Sequence, residues 1–457
     1  MPAAPKAHAM VARPLAVAIL AGGAGRRMRS RVLKPLQPVA ARPAVLHVLA
    51  TAAKLAPDAT VIVHGPGADP LVAAVRADAP SAQFALQPEP RGTGDAAEVA
   101  LQALGDFPGD VVFLCADVPL LSSDTLASLR DRLRDADRPA LTVLGFRPGD
   151  PTGYGRLQLH EDGYLKSIVE ERDADSEVRA SNLCNAGVLA ADASVLAPWL
   201  AAVGTANAAG ERQLTDVVAR ANAAGRRVAW LEGPAEDLVG INTRADLATC
   251  EATLQGRLRH RALAAGATLV DPATTWFAWD TVLAADVRVE PQVFFGPGVT
   301  VDTGTEILAF CHLEGAVIGK GCRVGPFARL RRGTQLEDGA RVGNFVEVKN
   351  AVIGPGAKAN HLAYIGDGTV GAEANIGAGT IFCNFDGAAK HHTTVGPGAF
   401  IGSNTALVAP VRVGDHAIVG AGSTITRDVP DSALAVERAA TRVRPARGRQ
   451  RPPHRTG

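Results

Sequence analysis

In two long stretches of the C-terminal half every sixth residue is aliphatic. Ile318, Val324, Leu330, Leu336, Val342 and Val348 keep one strict register, and Val395, Ile401, Leu407, Val413, Val419 and Ile425 keep another. Val289, Phe295, Val301, Ile307 and Leu313 precede them at the same spacing. With 47% of the chain hydrophobic, six successive hits in a fixed register have a chance of about 1%. A helix repeats at about 3.6 residues and a strand at about two, so neither explains the pattern. Glycine often follows the aliphatic residue, as in Val324-Gly325, Val342-Gly343 and Ile401-Gly402. A triangular coil satisfies both features: each six-residue unit forms a flat side with its aliphatic residue inward, and glycine permits the tight corner. Residues 266–437 are therefore expected to form a left-handed parallel β-helix. Residues 383–394, with His391-His392, break the repeat and are expected to loop outward. Such insertions often sit on the binding face of a solenoid.

The N-terminal half has a different rhythm. Short apolar runs alternate with helix-like stretches: AVAIL then RPAVLHVLATAAKL, TVIVHG then DPLVAAVRA, DVVFLCADVPL then SDTLASLRDRL. That alternation predicts βαβ units, a Rossmann-like α/β domain with a mainly parallel sheet over residues 1–243, and ligands at the carboxyl ends of its strands. Residues 244–265 read as one linking helix, with Leu247, Cys250, Leu254, Leu258, Ala262 and Ala265 along one face. The tail 438–457 is rich in Arg and Pro and poor in apolar residues. It is expected to be disordered and solubilising rather than a polyanion-binding arm.

A chain of 457 residues is long enough for two or three cores. Lys and Arg number 47 against 46 Asp and Glu, which argues against nucleic acid or an anionic membrane as the main partner. The six cysteines are scattered without zinc-site pairing or the density of a disulfide scaffold, as expected of reduced thiols in the cytoplasm. The apolar segment 10–21 is interrupted by Arg13 and Pro14, so it reads as a buried first strand and not as a signal peptide. No stretch reaches the roughly 20 apolar residues of a membrane-spanning helix.

Several local features carry chemistry. The glycine-rich turn LAGGAGRRM, residues 20–28, follows the first strand. Its backbone can approach a phosphate or a base closely, with arginines beside it. It matches neither the Walker loop nor the dinucleotide fingerprint. Asp117 closes a strand and reads locally either as a metal ligand or as a helix N-cap. Lys34 alone reads as a solvated lysine. His361 reads either as a base titrating near neutral pH or as a coil-corner histidine. Arg331 and Lys349 lie 18 residues apart, three six-residue sides and so one coil, which stacks them on one edge where both can grip a phosphate.

LAGGAGRRM, Lys34, LQPEPRGTGDA and CADVPL, followed downstream by GPFARLR, GNFVEVK, NIGAGTIFCNFDG and AGSTITRDV, resemble one family over nearly the whole chain. It is the bacterial bifunctional N-acetylglucosamine-1-phosphate uridylyltransferase and glucosamine-1-phosphate N-acetyltransferase family. The resemblance implies acetyl transfer from acetyl-CoA to glucosamine 1-phosphate, then UMP transfer from UTP with release of pyrophosphate. The product is UDP-N-acetylglucosamine, a precursor of peptidoglycan and lipopolysaccharide. It further implies that Leu20, Ala21, Gly22, Gly23, Gln87, Gly92 and Thr93 hold the uridine, and that Arg27 and Lys34 neutralise phosphate. Cys115 and Ala116 would border the nucleotide, Asp117 and Asn242 would bind Mg²⁺, and Gly155, Glu170 and Asn185 would hold the N-acetylglucosamine portion. In the second domain it implies His361 as the base, Arg331, Lys349, Tyr364 and Asn375 around glucosamine 1-phosphate, and Ala378, Asn384, Phe385, Ser403, Ala421 and Arg438 around acetyl-CoA. A homotrimer is implied, because this family completes its acetyl site between neighbouring chains.

The nucleotidyl segment departs from the family pattern at Arg26, Asp95, Cys115-Ala116, Cys184 and Arg212-Gln213. These changes, and the use of long β-helices as rigid scaffolds, leave two alternatives beside the bifunctional enzyme. One is an acetyltransferase with an impaired or altered nucleotidyl domain, and the other is a non-catalytic trimeric scaffold.

Overall fold

The computed structural model describes residues 13–23 and 25–443. The chain divides into two compact units, residues 1–256 and 257–457, and the division falls inside the helix Arg244–Ala264.

The core of the first unit is a twisted sheet. Its strands run in the order Val228–Glu232, Leu141–Phe146, Cys184–Asp192, Asp110–Cys115, Leu15–Leu20, Ala59–His64 and Gln83–Leu86. Strand 184–192 runs antiparallel to both neighbours, while the other adjacent pairs along this path are parallel. Strand 15–20 reads LAVAIL and is buried along nearly its whole length, as an interior strand covered on both faces must be. Chain order reverses between it and strand 110–115, and the cleft beyond the carboxyl ends of those two strands is where such sheets bind ligands. The helix Ser123–Leu133 is capped by Ser122, so Asp117 serves no helix as an N-cap.

The 21-residue helix 244–264 begins at an acid in its first turn: the Asp246 carboxylate accepts hydrogen bonds from the backbone N–H groups of Asn242 and Thr243, at 2.9 and 2.8 Å. Two orphan donors are satisfied this way, and Asn242 is fixed at the helix entrance. Cys250 is buried beside Met28, Val39 and Ile241, with Leu247 and Leu254 packed against the same cluster. Ala265, expected on the same helix face, lies past the helix end and is exposed.

The second unit is a left-handed parallel β-helix. Most successive coils pair in parallel at offsets of 17 or 18 residues, as in Glu306↔Arg323 and Arg323↔Arg341, and the offset widens to 25 across the break in the repeat, as in Asn375↔Phe400. All three aliphatic registers point inward; Ile307, Leu313, Val324, Leu330, Val342, Ile401 and Val419 are fully buried. Buried Thr380, Thr405 and Ser423 return their hydroxyls to the carbonyls of Gly377, Gly402 and Gly420 at 2.6 to 2.7 Å, so these polar groups enter the core satisfied. The break in the repeat is a small hairpin over residues 384–392, bridged between Phe385 and Lys390.

The glycines that follow the aliphatic positions divide between two roles: Gly325 turns a corner with φ 97°, as expected, whereas Gly343 and Gly402 have another reason. Gly343 does not turn the corner with a positive φ. A Cβ there would overlap the carbonyl oxygen of Asn360 on the next coil, so close stacking excludes any side chain. Other left-handed corners are not glycine, and Phe310, Phe327, Phe345 and Leu362 occupy one edge of them with φ of 61, 57, 57 and 51°. That conformation costs about 1–2 kcal/mol for each L-residue. The three rings stack on one another at 4.8 and 5.2 Å, which returns about 0.5–1.5 kcal/mol per pair.

The two glycine roles separate experimentally. Gly343→Ala is expected to destabilise the β-helix by about 3 kcal/mol through overpacking against backbone. Gly304→Ala, at φ 71° with a Cβ meeting the Gly321 backbone only at an ordinary 3.9 Å, is expected to cost only about 1–2 kcal/mol of backbone strain. Denaturant unfolding of each variant measures the difference, and equal losses would contradict it.

Candidate active sites

Each unit gathers the residues expected to carry its chemistry. In the first, the Ala116 N–H donates to the Leu20 carbonyl at 3.1 Å and the Ala21 N–H to the Val63 carbonyl at 2.8 Å. These bonds hold the turn from Leu20 to Gly23 beside Cys115, Ala116 and Asp117. The Ile241 N–H donates to the Asp117 carbonyl at 2.8 Å, which brings Asn242 alongside. The Lys34 ammonium then contacts both the Asp117 carboxylate and, at 2.9 Å, Asn242 Oδ1. Arg27 donates to the same amide oxygen at 3.0 Å. A carboxylate and an amide oxygen thus converge on one cationic point. Among the described residues no cluster of three or more His, Cys, Asp or Glu could hold a metal ion.

Gln87 is buried, 4% exposed, and its amide nitrogen donates to the Gly92 carbonyl at 3.1 Å and to Asp95 at 2.8 Å. Its oxygen faces Gly22, where a Cβ would lie only 2.9 Å away. Gly92 has φ 114°, and a side chain there would overlap the Arg212 carbonyl. Thr93 opens the helix Thr93–Leu104, and its hydroxyl accepts from the Leu214 N–H at 3.0 Å.

Gly155, Glu170 and Asn185 also come together. The Asn185 N–H donates to the Gly155 carbonyl at 2.8 Å, and a Cβ at 155 would touch the Glu170 carboxylate at 3.2 Å. Glu170, Asn185, Leu20, Thr93, Cys115 and Thr215 line a cavity of about 110 Å³. Burial raises the Glu170 pKa, and the Thr215 hydroxyl, 3.1 Å from its oxygen, opposes that shift by favouring the anion. Burial, with Asp117 adding to it, pushes the Cys115 thiol up to about 12. Its sulfur is a hydrogen-bond donor to the Gly187 carbonyl at 3.3 Å and not a nucleophile at neutral pH.

In the β-helix the site follows the coil register. Arg331, Lys349 and Tyr364 lie on one side of the corner occupied by Leu362, and His361 and Asn375 on strands of the side before it. Stacking places Arg331 one coil from Lys349, as expected, but each faces a carboxylate: Arg331 bonds Glu347 at 2.8 Å, and Lys349 lies 3.8 Å from Asp367. His361 Nδ1 lies 2.7 Å from Asn344 Oδ1. An amide oxygen only accepts, so the Nδ1 proton is engaged there and Nε2 is left as the basic nitrogen.

Ala378, Ser403, Ala421 and Arg438 continue up the coils from His361 along one edge. The Asn404 N–H donates to the Ala378 carbonyl, the Gly422 N–H to the Ser403 carbonyl, and the Arg438 guanidinium to the Ala421 carbonyl at 3.1 Å. Asn384 is buried, whereas Phe385 is 54% exposed on the hairpin with Lys390 over its ring. Of the tail, residues 438–443 are exposed without regular structure; the expectation of disorder for 444–457 falls outside the described residues.

Three residues escaped the sequence reading. Asp367 is buried and accepts from Asn350 at 2.8 Å and from Asn384, tying the expected phosphate lysine to the expected coenzyme A asparagine. Burial raises its pKa, but the two amide donors and Lys349 outweigh that and hold it below the ordinary value. Glu347 and Asn344 are the others. The one-coil spacing that links Arg331 with Lys349 also links Asn350, Asp367 and Asn384, and Asn344 with His361, so the signal was present.

Fold and site together define a nucleotidyltransferase joined to a hexapeptide-repeat acyltransferase. Residues 17–180 match the model of the MobA-like NTP transferase domain, and 392–427 that of the bacterial transferase hexapeptide of six repeats. The chain is 50% identical over 429 residues to bifunctional protein GlmU of Paramagnetospirillum magneticum, covering 94% of each chain. It is 51% identical to that of Sphingopyxis alaskensis over 432 residues and 52% to that of Rhodospirillum rubrum over 430, in each case 94% of this chain and 95% of the relative. The chain belongs to the bifunctional GlmU family, with uridylyltransferase and acetyltransferase activities that make UDP-N-acetylglucosamine for cell-wall synthesis.

The Glu170 environment has a measurable signature. A carbon-13 titration is expected to place its midpoint above that of an exposed glutamate, so on acidification Glu170 loses its charge earlier than surface carboxylates do. Thr215→Val, which removes the bond favouring the anion, is expected to move the midpoint further up. A midpoint in the exposed range, or a downward shift in the variant, would contradict the assignment.

Proposed function

We propose that the two activities divide between these clusters, with His361 as the base for acetyl transfer and the Lys34, Asp117 and Asn242 group as the uridylyl centre. The observation that supports this most is the His361–Asn344 pair, set at the foot of the edge formed by Ala378, Ser403 and Ala421. The sugar amine attacks the thioester carbonyl of acetyl-CoA. His361 Nε2 takes the amine proton, and the coenzyme A thiolate leaves and is protonated. Arg331, Lys349, Tyr364 and Asn375 orient glucosamine 1-phosphate. The partners Glu347 and Asp367 keep the two cations extended toward the substrate, and they exchange carboxylate contacts for phosphate when it arrives.

In uridylyl transfer a phosphate oxygen of N-acetylglucosamine 1-phosphate attacks the α-phosphorus of UTP, and pyrophosphate leaves. Leu20, Ala21, Gly22, Gly23, Gln87, Gly92 and Thr93 hold the uridine, and Gly155, Glu170 and Asn185 the sugar. Lys34 and Arg27 neutralise phosphate charge. Asp117 and Asn242 fit Mg²⁺: two hard oxygen donors already meet a cation, and magnesium takes few protein ligands, leaving its other positions to water and phosphate. Bound there, the ion would polarise the phosphate under attack.

The acetyl site sits beside the exposed ladder Phe310, Phe327, Phe345 and Leu362, each 46 to 58% exposed. We read this ladder as the face against which a second copy closes, giving the homotrimer that a hexapeptide β-helix with closed cyclic symmetry would form. No helix among the described residues is long and apolar enough to cross a membrane, and six free cysteines support a cytoplasmic enzyme.

His361→Ala is expected to abolish acetylation and spare pyrophosphate release from UTP, and Asp117→Asn to do the reverse. Loss of both activities in a folded His361→Ala protein would sink the division. Asn344→Leu is expected to lower kcat for acetyl transfer about tenfold with little change in KM, because it orients the base without touching substrate. The double variant Phe327→Asp, Phe345→Asp is expected to sediment as monomer, losing acetylation alone; an intact trimer would refute the assigned face.

A further inference from the structure

Asp95 and Arg212 lie 117 positions apart in sequence, and the structure pairs them. Arg212 approaches one oxygen of Asp95 at 3.4 Å and Glu98 at 2.5 Å, and it is anchored by the carbonyls of Leu200 and Val203 at 2.7 and 3.1 Å. The other Asp95 oxygen accepts from the Gln87 amide nitrogen at 2.8 Å. Two residues far apart in sequence therefore meet behind one buried glutamine.

We infer that Asp95, held by Arg212, is a positioning residue that locks the Gln87 amide with its oxygen toward the base pocket, and so sets selectivity for uracil over cytosine. The inference rests on the uridylyl reading of this site. An ionised carboxylate and a carbonyl can only accept hydrogen bonds, so the Gln87 end facing Asp95 and Gly92 must be the NH₂ group. Turning the amide over would set its oxygen against both acceptors in a buried place, where such a clash is costly. The remaining atom, Oε1, faces Gly22, in the turn proposed to hold the uridine. An acceptor there suits the N3–H of uracil. It repels cytosine, whose N3 is itself an acceptor. Arg212 also braces this loop through its backbone, accepting from the Gly94 N–H at 2.8 Å.

The test compares UTP with CTP in pyrophosphate release by the full-length protein. Asparagine at 95 keeps the shape of aspartate but offers a donor or an acceptor, so Gln87 can take either orientation. Asp95→Asn is expected to lower the UTP to CTP ratio of kcat/KM about tenfold, through a raised KM for UTP with kcat at saturation retained. Arg212→Met, which frees Asp95 without touching Gln87, should shift the ratio in the same direction by less. Glu98→Gln, which touches Arg212 but not Gln87, should leave it unchanged. A preserved ratio in a folded Asp95→Asn protein overturns the inference, as does a fall in kcat alone. A wild-type chain that prefers another nucleotide to UTP overturns the uridylyl reading, and the inference with it.

Discussion

Stacking of one coil upon the next governs the second half of this molecule. Each flat side must place an aliphatic residue inward and bring its backbone within hydrogen-bonding distance of the coils above and below. Once that register is set, everything outward is set too. Residues one coil apart become neighbours whatever their chemistry, so polar side chains meet in rows: Asn350, Asp367 and Asn384, or His361 above Asn344. The proposed acetyl site is a by-product of this geometry, since a scaffold that repeats along one axis delivers functional groups at fixed intervals.

The nucleotidyl unit reaches the same end by another route. Its residues come from strand ends and the entrance of a helix, brought together by bonds between segments far apart in sequence. Asn242 reaches Lys34 and Arg27 only because Asp246 caps the helix and the Ile241 N–H finds Asp117. Such a site has no period.

That contrast decides what could be read from the residues alone. The six-residue register was legible because burial imposes it at every coil, and the alternation of apolar runs gave the α/β half for a similar reason. The purpose of Gly343 was not, because the clash it avoids belongs to Asn360 of the next coil. Asp367 and Asn344 were within reach of the coil spacing, but Asp367 lies outside the quoted segments, and Asn344, inside GNFVEVK, has no local feature that marks it. The pairing of Asp95 with Arg212, 117 positions apart, was out of reach: each showed only as an unexplained substitution.

The hairpin at 384–392 illustrates what one-dimensional stacking permits. Before it, strand 364–370 pairs with strand 393–395, and after it 393–395 pairs with 411–413 in the ordinary parallel fashion. The inserted residues change the length of one coil without disturbing closure above or below it. A solenoid of this kind can therefore vary the rim of its proposed binding groove as an independent module, exchanging one hairpin for a longer or differently charged one while the spine that supports it stays the same.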